Sequence, residues 1–286
     1  MSTDFPYVQY ESFFAYRPIA PNTWCFNTCF QTTPVSSDAF LLWGNSKAVM
    51  IACGMSKLNL KTYIDQLSLT DKPIIGVIDT HSHFDHTACN GLFGHAFMHP
   101  KAEAGATGGA GGEFYPAGYP ITYLHEGDVI DLGNRVLEIF EIPAHDPGSI
   151  AILDRTNRIL FTGDELESGW VKLNLNRSDT KPGQTIRKHI ENMKRLKAMS
   201  DRFDMICPSH HGNPISKEII DHFIVCGAML LADVETNHAQ IDPASYDLSA
   251  IPIRERPQIY ARYKSAHLGY FLGYAKEQSE SVSVPE

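Results

Sequence analysis

The chain contains no apolar run of transmembrane length, so nothing in it is expected to span a bilayer as a helix. Its start, MSTDFPYVQYESFFAYRPIA, lacks a basic segment followed by an apolar one, and no secretory signal is expected. A soluble, cytoplasmic protein without a membrane partner is the expectation. Lysine and arginine number 24 against 33 acidic residues, a net charge of −9, and no basic cluster offsets it. A phosphate backbone would be repelled overall, which argues against a nucleic-acid partner. Six cysteines (Cys25, Cys29, Cys53, Cys89, Cys207, Cys226) are scattered, as reduced structural thiols are and a disulfide framework is not. The stretch GATGGAGGEFYPAG, Gly105 to Gly118, lacks the strand-then-helix setting and GxGxxG spacing of a dinucleotide site.

What is present is an ordinary globular composition, 43% hydrophobic and 20% charged over 286 residues, enough for a substantial core. Two apolar runs, Ala39 to Trp43 and Ala48 to Ile51, flank a Gly44-Asn45-Ser46 turn and predict a hairpin. Leu60, Ile64 and Leu67 repeat at helical spacing and predict a helix over 58–67. Strands are expected at 73–78, 96–98, 121–124, 128–132, 136–142, 149–153 and 158–162, with a last one at 203–207. Helices are expected over 183–199 and 216–234, and another is expected to start at His99-Pro100. The glycine-rich 105–118 stretch reads as a long mobile loop rather than a helix or strand. With no composition break, residues 1–276 are expected to form one domain and EQSESVSVPE (277–286) a frayed tail.

The segment IDTHSHFDHTACNG places His81, His83, Asp85 and His86 within six positions, just after the apolar run ending at Ile78. Alternating side chains in an extended loop let His81 and His83 face one ion together. Imidazole with carboxylate suits zinc or a similar first-row metal, whereas magnesium and calcium prefer all-oxygen shells. More candidates follow later apolar strands: His145 in AHDPGS, Asp164 in FTGDE, and His210 and His211 in PSHHGNP. Strand ends are where side chains distant in sequence can converge.

These elements, in this order, resemble the metallo-β-lactamase superfamily: HSHFDH matches its HxHxDH signature, and the three later motifs match in turn. The resemblance spans roughly Phe40 to Ile215. It implies an α/β fold (α+β by some schemes), a four-layer αββα sandwich of two mixed β-sheets flanked by helices, with a metal site at one edge. It assigns His81, His83 and His145 to one metal, and Asp85, His86 and a histidine of the last motif to a second, with Asp164 bridging. Counting from Pro208 selects His210; counting back from Gly212 selects His211. Reach from the strand end favours His210. Members usually carry an aspartate in the turn after the second strand, where this chain reads Ile51-Ala52-Cys53-Gly54. Losing that support behind the metal loop bears on ligand orientation.

Two adjacent divalent ions can hold a hydroxide at neutral pH and polarise a carbonyl. Asp85 would accept a hydrogen bond from that nucleophile and later carry its proton. Cys89 reads as a buried thiol, and no serine or cysteine nucleophile is required. The leading expectation is a hydrolase with two zinc ions, iron or manganese being alternatives, that opens a small ester, lactone, thioester or amide. A mononuclear iron dioxygenase of the persulfide dioxygenase type is the alternative on the same fold. A β-lactamase is a second alternative; many of those carry cysteine or serine where Asp164 stands. A non-catalytic binding protein is a further reading. Tyr115, Tyr119 and Trp170 are candidate substrate contacts, ordinary packing being their other reading. The oligomeric state is left open.

Overall fold

The first five strands of the computed structural model form a meander, each pairing antiparallel with the next. The structure describes residues 8–10, 14–29, 36–54, 59–108, 118–173, 183–237 and 258–271. Strands β1 (Val8–Tyr10), β2 (Phe14–Ala20), β3 (Thr23–Cys29), β4 (Ser36–Trp43) and β5 (Ala48–Ile51) pair antiparallel in succession. The expected hairpin is β4–β5. Beyond it α1 (Leu60–Leu67) makes a crossover, starting where the Asn59 side chain accepts from the Thr62 N–H at 2.8 Å. Strands β6 (Ile74–Ile78), β7 (Ala96–Met98) and β8 (Ile121–Tyr123) then extend the sheet in parallel. Between β6 and β7 lie two short helices, α2 (Phe84–Thr87) and α3 (Asn90–Phe93); after β7 a 3-10 turn at Pro100–Ala102 runs into α4 (Glu103–Thr107).

The second sheet contains β9 (Val129–Asp131), β10 (Val136–Glu141), β11 (Ile150–Asp154), β12 (Ile159–Gly163) and, after β13 (Trp170–Leu173) and α5 (Gln184–Ala198), β14 (Met205–Pro208). Strands β12 and β14 are parallel neighbours, so the loops after them leave the same edge. The expected last strand is not the last. After α6 (Ile219–Asn237), β15 (Gln258–Tyr263) and β16 (Ala266–Phe271) form an antiparallel pair, and β16 lies parallel to β13 in a third, three-stranded sheet.

Strand periodicity explains the layers. Along β4, Phe40 and Leu42 face the second sheet, packing with Ile51, Ile78, Ile139, Ile152 and Phe161; the Phe40 and Phe161 rings are 4.9 Å apart. Ala39 and Leu41, on the opposite face, meet Leu60, Tyr63 and Ile64 of α1 and Phe93 of α3. On the far side, Leu153, Leu160 and Ile206 pack under Ile186 and Met193 of α5 and Phe223 and Leu230 of α6. Helix, sheet, sheet, helix is thus the layer order. Between the sheets, buried Arg135 pairs with buried Asp154 at 2.6 Å. Among the described residues no helix is long and apolar enough to cross a membrane.

One element contradicts the glycine-rich loop expectation: Gly105 to Thr107 belong to helix α4. A Cβ on Gly105 would lie 2.6 Å from the Ser82 side chain. Glycine there lets the helix touch the histidine loop, a tertiary requirement that composition does not reveal. Residues 109–117 of that stretch, Tyr115 included, and the tail at 277–286 lie outside the described residues.

Candidate metal centre

The loop after β6 carries Asp79 to Ser82 and then becomes α2, so His81 and His83 precede the helix while Asp85 and His86 lie on it. Three other strand-end loops meet this one. The Ile150 N–H donates to the Thr80 carbonyl at 2.8 Å, joining β11 to the loop. Ser37, at the start of β4, donates to the Asp85 carbonyl at 2.7 Å. The result is two groups of donors, His81, His83, His145 and Asp164, and Asp85, His86, Asp164 and His210, each with ligand atoms within 4.8 Å of one another.

Asp164 is shared. Its Oδ2 lies 3.8 Å from His81 Nε2, 3.6 Å from His145 Nε2 and 3.3 Å from His210 Nε2, and its Oδ1 lies 3.3 Å from His86 Nε2. Asp85 Oδ2 lies 3.3 Å from His86 Nε2 and 3.2 Å from His210 Nε2. All of these gaps exceed a normal N–H···O length of about 2.9 Å. His81 Nε2, His86 Nε2 and Asp164 Oδ1 are buried without a hydrogen-bond partner among the described residues. Buried polar atoms left so are costly unless something else satisfies them. A divalent cation meets that need, and the imidazole–carboxylate set fits one.

The titrating groups divide accordingly. Burial, then the neighbouring His86, lowers His81 well below the usual imidazole range; burial and His83 bring His145 to about 4. In the other group burial opposes charging, but Asp85 and Asp164 outweigh it and raise His86 to about 10. His210 is raised to about 12, with Asp164 overcoming its burial. Burial likewise works against the Asp85 carboxylate, yet His86 and His210 hold it well below the carboxylate range. Without a metal, protons occupy the place of positive charge in this second group.

Several supporting residues were not evident in the sequence. The Glu165 carboxylate accepts from the His145 N–H at 2.8 Å and from Asn192 at 3.1 Å. His145 Nδ1 donates to the Lys172 carbonyl at 2.8 Å, which aims Nε2 into the donor group, 2.9 Å from His83 Nδ1. Ser82 donates to Asp146 at 2.6 Å, tying HSHFDH to AHDPGS. Where an aspartate was expected, the Cys53 thiol lies 3.1 Å from both the His86 carbonyl and Asn90 Oδ1. Asn90 in turn donates to buried Asp79 at 2.7 Å. The only available signal was that polar residues sit beside the metal motifs.

His210 joins the second group and His211 does not. His211 has a left-handed backbone, φ 59°, which turns its side chain the other way. Its Nε2 lies 3.7 Å from buried Glu167 and its ring packs over Gly169, where a Cβ would come within 1.8 Å. The Tyr119 hydroxyl is turned inward, 3.2 Å from Asn90 and 3.3 Å from the Ala106 carbonyl. Trp170 stacks on His267 at 5.4 Å, in the third sheet.

A model of the metallo-beta-lactamase superfamily matches residues 32–210. The chain is 24% identical over 284 residues to the human "Acyl-coenzyme A thioesterase MBLAC2", covering 87% of this chain and 95% of that one. It is 26% identical over 205 residues to "Hydroxyacylglutathione hydrolase 1" of Vibrio vulnificus, covering 67% and 73%. Among solved structures, a beta-lactamase domain protein from Burkholderia ambifaria superposes with TM-score 0.63 at 18% identity, covering 77% of this chain and 78% of that one. Sandwich topology, converging histidine loops and the match over 32–210 together establish that this chain belongs to the metallo-β-lactamase superfamily.

Proposed function

We propose that this protein is a metal-dependent hydrolase of small thioesters, with two zinc ions bound between the two donor groups. The observation that carries this reading is that both groups share Asp164. His81, His83 and His145 would hold one ion, Asp85, His86 and His210 the other, and Asp164 would contact both. Bound divalent zinc supplies an activated water at neutral pH and a Lewis acid for the carbonyl. The protein's own task is to orient that water and handle its proton. Asp85 accepts the water's hydrogen bond. A leaving group stable as an anion needs the least help from a proton donor. A thiolate, whose parent thiol has a pKa of about 8.5, fits better than an alkoxide.

The names of the two relatives, an acyl-CoA thioesterase and a hydroxyacylglutathione hydrolase, point to the same bond. The test is a hydrolysis screen of acyl-CoA and acylglutathione thioesters, lactones, β-lactams and phosphodiesters, run with zinc quantification. Thioester turnover with about two tightly held equivalents is expected. Asp85→Asn should lower turnover about 10²–10⁴-fold at equal metal content. Turnover confined to β-lactams or nucleic acid would overturn the reading.

A further inference from the structure

Three other side chains meet with the same spacing, away from the centre. His99 follows β7, His125 follows β8 and Glu141 ends β10. Strands β7 and β8 run parallel to β6, so His99 and His125 leave the sheet at the edge that carries the histidine loop. His99 Nε2 lies 3.4 Å from Glu141 Oε1, and His125 Nδ1 lies 3.6 Å from that same oxygen. The two imidazole rings are 5.7 Å apart, and all three donor atoms fall within 4.8 Å of one another. The gaps are long for hydrogen bonds, but they match the roughly 3.3–3.6 Å edges of a tetrahedron with bonds of about 2.0–2.2 Å. The same interval separates donors in the centre, for example 3.3 Å between His86 and Asp164.

The carboxylate and the His125 backbone are held from behind. The Glu126 N–H donates to Glu141 Oε1 at 3.2 Å, and the Glu126 carboxylate binds Arg195 at 2.7 Å. Asp128 accepts from the His125 N–H at 2.8 Å. His99 is buried while the His125 side chain is 58% exposed, so the cluster opens to solvent on one side.

We propose that His99, His125 and Glu141 form a separate zinc site that ties the β7 and β8 loops of one sheet to β10 of the other. Two imidazoles and a carboxylate are a zinc-class donor set, with water completing the tetrahedron. Burial, opposed by Glu141, holds the His99 imidazole below its ordinary range, which favours the neutral ring a metal needs. His99 Nδ1 now accepts from the Lys101 N–H at 3.2 Å. Coordination through Nε2 moves the ring proton to Nδ1 and gives that contact up, so this site binds more weakly than the centre. It is independent of the thioesterase reading.

The test is zinc titration of the holoprotein, its centre already loaded, followed by elemental analysis and thermal melting. The wild type should take up one further equivalent and gain melting temperature. His125→Ala and Glu141→Gln should each lose that equivalent and that gain, with turnover unchanged. Uptake equal to wild type in both variants would overturn the proposal.

Discussion

His210 and His211 are neighbours, yet backbone geometry sends one into the metal centre and the other away from it. His210 reaches Asp85 and Asp164, whereas His211, at φ 59°, lies against Glu167 and Gly169. His210→Ala should therefore lose about one of two zinc equivalents, since the second group loses a donor. His211→Ala should retain both, and elemental analysis of the two variants separates them. Glu165 allows a second expectation. Its carboxylate holds the backbone N–H of His145 and the side chain of Asn192 inside the protein. Glu165→Gln replaces an acceptor oxygen with a donor facing an N–H, and should cost about 1–3 kcal/mol of stability. It should also weaken zinc about 10–100-fold by loosening His145; chemical denaturation and chelator competition measure the two effects.

At the scale of elements, most strands were legible because each is a short apolar run bounded by turn residues. β4 to β12 and β14 arise where alternation or continuous apolarity predicts them. β1 to β3 were not among the expected strands, and β13, β15 and β16 were missed as well. WVKL is only four residues long, and AHLGYF mixes polar and apolar residues with no clean period. β13 pairs in parallel with the distant β16, so only the folded chain supplies its partner. The helical segment expected from His99-Pro100 is the 3-10 turn and α4, but its run through Gly105 was not foreseen: glycine weakens a helix locally, yet close contact with Ser82 leaves no room for a side chain at 105. Gly105→Val should push α4 from the histidine loop and cost about 1–3 kcal/mol through overpacking. Its melting temperature should fall, and zinc affinity with it; an unchanged melt would show that the helix yields freely.

For the whole molecule, the centre couples stability to pH and metal. In metal-free protein His86 and His210 are raised to about 10 and about 12. That stabilisation is full below the unfolded histidine pKa of about 6.5 and is lost as pH rises toward those values. His81 and His145 are depressed, so their contribution is present above about 6.5 and is lost as pH falls. Metal-free protein should thus be most stable near pH 6.5, by this balance of histidines. In zinc-loaded protein the same imidazoles are already deprotonated, and no alkaline loss should follow from them. The gap in melting temperature between zinc-loaded and chelated protein should widen from pH 6.5 to pH 9. A constant gap would show that His86 and His210 carry no such protons.

The order of ligand motifs, their position after apolar runs and the family they resemble could be read directly from the sequence, because each depends on residue type and local period. Tertiary structure decided which histidine of a pair enters the centre, which carboxylates brace it, and that a glycine-rich segment begins as helix. It also brought His99, His125 and Glu141 together from β7, β8 and β10. Those outcomes depend on strand register, on a left-handed backbone at one residue and on close approach between loops far apart in the chain. None of these is a property of a local window. Local patterning specifies which elements form, while the packing of two sheets decides which of their ends meet.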